Sequence, residues 1–153
     1  MCKFCWTVLL LLLLALAGAV YKFGFLGSVE PAPDGRQALQ LTVDERNMVL
    51  GEMRAFLVAV QNIIDATNRE DMEAAAAAAH KVGMAAQGAI PPGLIGKLPL
   101  EFKKLGFSTH RKFDELALDA QQLGDPQHTR EQLAALMNNC LACHATYSLS
   151  LAD

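Results

Sequence analysis

The chain has 153 residues, of which 13 are basic and 16 are acidic, and its formal net charge is −3. This length leaves room for one domain and an appendage. All 16 acidic residues lie from Glu30 onward, and the basic residues there are not interleaved with aromatic ones. The composition therefore argues against nucleic acid as a partner.

The first predicted element is an apolar helix. Residues 4–21 include no charged residue, and Lys3 is the only basic residue before them. Such a segment is either a signal peptide or a membrane anchor. The small residues at 17–19 match a cleavage site, whereas the apolar residues at 23–26 lengthen the segment and favour a retained anchor. Both alternatives export the C-terminal domain. Residues 1–27 are assigned to this signal peptide or anchor.

Residues 28–41 are predicted to form a linker. Pro31, Pro33 and Gly35 would interrupt a regular element, and neither helical nor strand periodicity is present. The domain itself is assigned to residues 42–150.

The first helix of this domain is predicted to begin at a capping box, Thr42 to Glu45, and to end near residue 66. Apolar residues recur in it at three- and four-residue steps, which predicts one inward-facing stripe. That stripe consists of Leu50, Met53, Leu57, Val60 and Ile64. A second helix, capped by Asn68, is predicted to run through the alanines at 74–79 to about residue 87.

Two more helices follow a break at residues 88–99. Pro99 is suited to open the third helix, which is predicted to end near Gly124. A second capping box at 129–132 is predicted to open the last helix. Because no segment alternates with period two for long enough to predict a strand, the expected class is all-α, most economically an antiparallel four-helix bundle.

The last helix carries Cys140-Leu141-Ala142-Cys143-His144. Two thiols one helical turn apart can each add to a vinyl group of haem, and the adjacent imidazole can bind the iron. A bare C-x-x-C would also fit a redox dithiol or half a zinc site, but the other cysteines, Cys2 and Cys5, lie in the apolar segment. The motif therefore predicts one covalent haem c, attached through Cys140 and Cys143 and ligated by His144.

The position of the motif restricts the second iron ligand. Residues 145–153 contain no Met, His, Lys or Cys, so a second protein ligand would come from upstream. This layout resembles the class II c-type cytochromes, the cytochrome c′ group and its low-spin relatives, which bind haem on the last helix of an antiparallel four-helix bundle. The resemblance implies that the first helix covers the distal side, with Met as sixth ligand or with an apolar residue over five-coordinate iron.

Met53 is our candidate for the sixth ligand because it lies on the predicted inward stripe. Met48 lies nearly opposite Leu50 on the helix and is therefore off that stripe. Leu50 follows Arg46 by four residues, a spacing similar to that of cytochrome c′, and would leave the iron five-coordinate. Arg46 and Arg54 are also candidate partners for a haem propionate. Other distal candidates are Met84 and a histidine, either His80 or His110.

The expected function is electron transport by a periplasmic cytochrome, either anchored to the inner membrane or soluble after cleavage. The alternative is a five-coordinate haem protein that binds NO or CO beneath Leu50. In class II members the histidine is usually followed by two residues, an aromatic residue and then a basic residue. The basic residue is absent after Tyr147, which weakens this alternative. No catalytic pair is present in the sequence, so an enzyme is not expected.

The expected partners are redox proteins, for which the basic residues of the third helix are a candidate docking surface. Homodimerisation stays open, because many class II members dimerise.

Overall fold

The computed structural model describes residues 3–152, except the side chain of Ala89, and this part of the chain is mostly helical. Its α-helices are α1 Lys3–Tyr21, α2 Val43–Asn68, α3 Met72–His80, α4 Pro92–Lys97, α5 Leu100–Leu123 and α6 Pro126–Thr146. Three short strands accompany them: β1 Val29–Pro31, β2 Gln37–Leu41 and β3 Tyr147–Leu151. A π-helical turn, Lys22–Leu26, continues α1, and a 3₁₀ segment, Met84–Ala89, follows α3.

The predicted N-terminal apolar helix is confirmed as α1. None of its residues is buried, and an 18-residue window within the span Lys3–Leu26 has a mean hydropathy of 2.4. By length and composition it could cross a membrane, a property that anchors and signal sequences share. Cys5 is exposed on this helix, and Cys2 lies outside the described residues.

The start of α2 and both ends of α5 agree with the sequence predictions. The Thr42 hydroxyl accepts a hydrogen bond from the amide of Glu45, whose carboxylate accepts one from the amide of Thr42. Pro99 precedes the first residue of α5, and Gly124 ends the helix in the left-handed conformation with φ of 62°. Both signals are local, so they need no tertiary partner.

Two other predicted helix starts are wrong. Asp71, not Asn68, caps α3 by accepting a hydrogen bond from the amide of Ala74. The last helix begins at Pro126, a turn before the predicted capping box, because the carboxylate of Asp125 accepts hydrogen bonds from two first-turn amides. A proline in the first turn leaves no donor unsatisfied, which also favours the earlier start.

The prediction that the chain has no strand, with an irregular linker at 28–41, is wrong. β2 lies in the middle of a sheet, antiparallel to β1 and parallel to β3. The parallel register pairs Gln37 with Tyr147 and Leu41 with Leu151. Strands of five residues or fewer carry little periodicity, and this pairing joins opposite ends of the domain.

The buried side chains form two clusters. The larger one lies among four helices, because α2 packs against α3 and α6, while α5 packs against the same two helices. The smaller one lies beneath the sheet and consists of Leu39, Leu41, Val49, Leu94, Leu98 and Tyr147. Met53 packs against both clusters and is partly buried.

The inward face of α2 differs from the predicted stripe. Leu57 and Ile64 are 69% and 42% exposed, whereas Phe56 and Ile63 next to them are buried. Apolar residues surround much of this helix, so periodicity left two neighbouring faces as candidates. The contacts with α3 and α6 bury the face of α2 that carries Phe56 and Ile63.

The segment between α1 and β1 is held against the start of α5. The Ser28 amide donates to the carbonyl of Lys97 at 2.7 Å, and the Lys103 ammonium donates to the carbonyls of Phe23 and Gly24. Gly27 permits this close approach with φ of 67°. The exit from the apolar helix is therefore attached to the domain.

Replacing Gly27 with alanine is expected to detach this segment. A Cβ there would clash with the carbonyl oxygen of Lys97, in addition to the unfavourable φ, and such local strain costs about 1–3 kcal/mol. The measurement is the rate of limited proteolysis at residues 22–28. Gly35→Ala is the matched control, because its φ is also positive but nothing lies within 4 Å of the added Cβ. Equal cleavage rates for Gly27→Ala and Gly35→Ala would contradict the expectation.

Candidate functional site

One cavity brings the two halves of the predicted site together. It has a volume of about 320 Å³, opens to solvent and is mainly apolar. Cys143 and His144 at the end of α6 form part of one wall, and Leu50 and Met53 on α2 form part of another. The remaining lining residues are Arg36, Val49, Phe102, Tyr147, Ser148 and Leu149. Four of the residues that were predicted from distant parts of the sequence, Leu50, Met53, Cys143 and His144, therefore share one space.

The two thiols of the motif are free and partly buried near the end of α6. Burial raises the pKa of the Cys140 thiol, and burial together with the neighbouring Cys140 raises the pKa of Cys143 to about 11. Both groups are thus neutral thiols near pH 7. A redox dithiol instead needs a lowered thiol pKa, so this environment does not favour that use.

His144 follows directly and is exposed at the edge of the cavity. Within residues 3–152 its imidazole makes no hydrogen bond, whereas its backbone carbonyl accepts one from the Arg36 guanidinium at 3.2 Å. The imidazole is therefore available as a ligand on the cavity side. Cys140 lies one turn earlier and is not part of the cavity lining.

Arg36 is a cavity residue that the sequence analysis did not identify. Its guanidinium also donates to the carbonyl of Tyr147 and pairs with Asp34 at 2.6 Å. The pairing of β2 with β3 places it there, directly before Gln37. Only that pairing could have indicated its position, since no local motif surrounds it.

The remaining candidates lie elsewhere. Arg46, proposed as a propionate partner, is not part of the cavity lining. Met48 lines a neighbouring cavity, and Met84 is 41% exposed on the 3₁₀ segment. His80 is exposed, with Nδ1 3.6 Å from the carboxylate of Asp114. Of the proposed distal residues, the structure brings Leu50 and Met53 into one cavity with His144.

A second cavity, also of about 320 Å³, shares Val49 and Phe102 with the first. His110 lies at its wall and is 1% exposed. Its Nδ1 donates to the carbonyl of Val82 at 2.8 Å, and its Nε2 lies 3.0 Å from Oε1 of Glu52. Burial lowers the pKa of the imidazole, but the hydrogen bonds and the charge of Glu52 outweigh it and raise the pKa above its ordinary value. Both ring nitrogens face acceptors, which is the arrangement that an imidazolium satisfies.

The basic residues of the third predicted helix have partners within the chain. Lys97 pairs with Glu45 at 2.6 Å, and Lys104 pairs with Glu101 at 2.7 Å. Lys112 donates to the side chain of Asn139. Their use as a docking surface stays a prediction, and the two pairs with glutamates would reduce the net positive charge that a partner meets.

Comparison of the chain with protein-family models, with curated proteins and with solved structures finds no match. The function is therefore argued from the residues and their geometry.

Proposed function

We propose that this protein is a c-type cytochrome that carries electrons through one covalently attached haem c. The observation that carries the proposal is the cavity that Cys143 and His144 share with Met53 and Leu50. A C-x-x-C-H motif supplies both thioether attachment points and the proximal imidazole. When bound, the haem would supply one-electron redox chemistry, which side chains do not provide.

The residues present fit this group. Cys140 and Cys143 would hold it through thioethers, His144 would bind the iron from the α6 side, and the Met53 thioether would bind from α2. Methionine ligation raises a haem potential relative to two histidines, which suits an electron carrier. Arg36 is the cation at the cavity, so it replaces Arg46 as our candidate partner for a propionate.

We further propose that α2, α3, α5 and α6 form an antiparallel four-helix bundle around the larger core. The contacts of α2 and α5 with the same two helices support this arrangement. We place the domain on the periplasmic side of the inner membrane, with α1 retained as an anchor or removed as a signal. Redox proteins are the proposed partners, and no enzymatic activity is proposed.

The second candidate function is binding of a small gas such as NO or CO by five-coordinate iron. Leu50 supports it, because this side chain lines the same cavity as His144 and cannot ligate. The two functions differ in whether Met53 or Leu50 covers the iron. The reduced absorption spectrum separates them, since a sharp low-spin α-band requires a sixth ligand.

The covalent haem is tested by expressing the full chain in a bacterium that matures c-type cytochromes. The wild-type protein is expected to keep its colour through denaturation and acid-acetone extraction, and its mass is expected to include one haem. The double variant Cys140→Ser/Cys143→Ser is expected to lose all covalent haem, and Cys5→Ser is expected to retain it. A colourless wild-type protein whose Cys140 and Cys143 thiols can be alkylated would overturn the proposal.

A further inference from the structure

The second cavity is a concave, mainly apolar space with a few polar groups at its wall, which is the usual character of a small-molecule site. It lies between α2 and the segment from the 3₁₀ turn to the start of α5. Phe56 and Phe102 provide aromatic surface, and Leu94 and Leu98 provide aliphatic surface. Its volume of about 320 Å³ is sufficient for a molecule with one ring.

The polar groups of this cavity define what the occupant can carry. Oε1 of Glu52 faces the His110 imidazole, while within residues 3–152 its second oxygen, Oε2, makes no hydrogen bond. That oxygen can accept a hydrogen bond from a ligand. Lys81 also lines the cavity, but it is exposed to solvent, so the polar partner that the structure gives the carboxylate is the His110 ring.

The pairing of Glu52 with His110 argues against charged ligands. The carboxylate and the imidazole lie 3.0 Å apart and compensate each other, and Lys81 is exposed to solvent. A cation or an anion in this mainly apolar space would therefore lose hydration without an unpaired opposite charge to meet. A neutral donor loses little hydration and gains a charge-assisted hydrogen bond. Aromatic side chains in the wall favour a flat ring as its apolar part.

We propose that the cavity lined by Glu52, Phe56, Phe102 and His110 binds a small neutral phenol-type molecule, whose hydroxyl donates to the Glu52 carboxylate. This inference goes beyond electron transport and needs no haem, since none of these contacts involves the Cys140 to His144 motif. Phe102 and Val49 form a common wall with the first cavity, so the bound ring would lie next to the proposed haem site.

Methyl resonances of methionine separate the two cavities in solution. Met48 lines the second cavity and Met53 lines the first. In full-length protein labelled with ¹³C-methyl methionine, 4-propylphenol is expected to shift the Met48 resonance and to leave Met53 in place. Propylbenzene is expected to bind about tenfold more weakly, because it lacks the hydrogen bond to a charged group.

Three variants test the contacts. Glu52→Leu is expected to abolish the preference for 4-propylphenol over propylbenzene, and Glu52→Gln, which keeps an acceptor oxygen, is expected to retain most of it. Ala55→Leu fills the cavity and is expected to abolish binding of both probes. Ala77→Leu, at an exposed position of α3, is the control that is expected to bind like wild type.

The proposal is overturned if saturating 4-propylphenol leaves Met48 unshifted, if both probes bind equally to the wild type, or if Glu52→Leu keeps the preference. These outcomes are independent of the haem assay. A protein without covalent haem can still bind the phenol, and a haem protein can fail to do so.

Discussion

Replacing Met53 with alanine is expected to convert the reduced absorption spectrum from low-spin to high-spin. Met53 lines the same cavity as His144, and its thioether is the sixth ligand that we propose. Alanine has no ligating atom, so the iron would lose its sixth ligand. The measurement is the absorption of the reduced protein, with loss of the sharp α-band and, in the ferric form, of the red band from methionine sulfur. The resulting protein is expected to bind carbon monoxide readily.

Met48→Ala is the matched control for this experiment. Met48 lies on the same helix but lines the second cavity, so its removal is expected to leave the spectrum unchanged. If Met53→Ala keeps the wild-type spectrum, Met53 is only a packing residue. A wild-type spectrum that is already high-spin would indicate that Leu50, not Met53, covers the iron. It would favour the gas-binding function.

Replacing Leu39 with alanine is expected to produce a large loss of stability and to loosen one wall of the site. Leu39 is fully buried in the cluster beneath the sheet, where Tyr147 and Cys143 also pack. Leucine-to-alanine changes in a core reduce the free energy of unfolding by about 2–5 kcal/mol, through lost burial and the cavity left behind. Because β2 holds Arg36 near His144, the proximal site would be affected as well. Urea unfolding followed by circular dichroism measures the change.

Leu151→Ala offers the same substitution at the exposed end of β3, where the side chain is 51% exposed. Its effect on the free energy of unfolding is expected to stay within about 0.5 kcal/mol, as at most surface positions. Similar losses for the two variants would mean that the sheet does not contribute a core of its own.

Local chemistry explains which elements could be predicted. The Thr42 capping box and the Pro99 and Gly124 boundaries involve neighbouring residues only, and the structure confirms them. The predicted starts at Asn68 and Thr129 were wrong because an aspartate about one turn away caps the helix instead. Asp71 caps α3, and Asp125 caps α6. Where two candidate capping residues lie within a turn of each other, their residue types alone do not select between them.

The sheet shows the opposite case. β2 is stabilised by strands on both sides, one of which comes from the end of the chain. Its five residues were interpreted as part of a linker, since short strands leave almost no pattern. The same non-local pairing placed Arg36 at the cavity, which explains why the sequence analysis selected Arg46 instead.

The sequence by itself determined the apolar N-terminal helix, the mainly helical class and the presence of a C-x-x-C-H motif, because each depends on residue type and spacing along a few turns. Tertiary structure alone decided that Leu50 and Met53 reach the same cavity as His144, and that His110 is buried against Glu52. These outcomes depend on which face of α2 packs inward and on how the chain ends pair, and neither is encoded in any short segment.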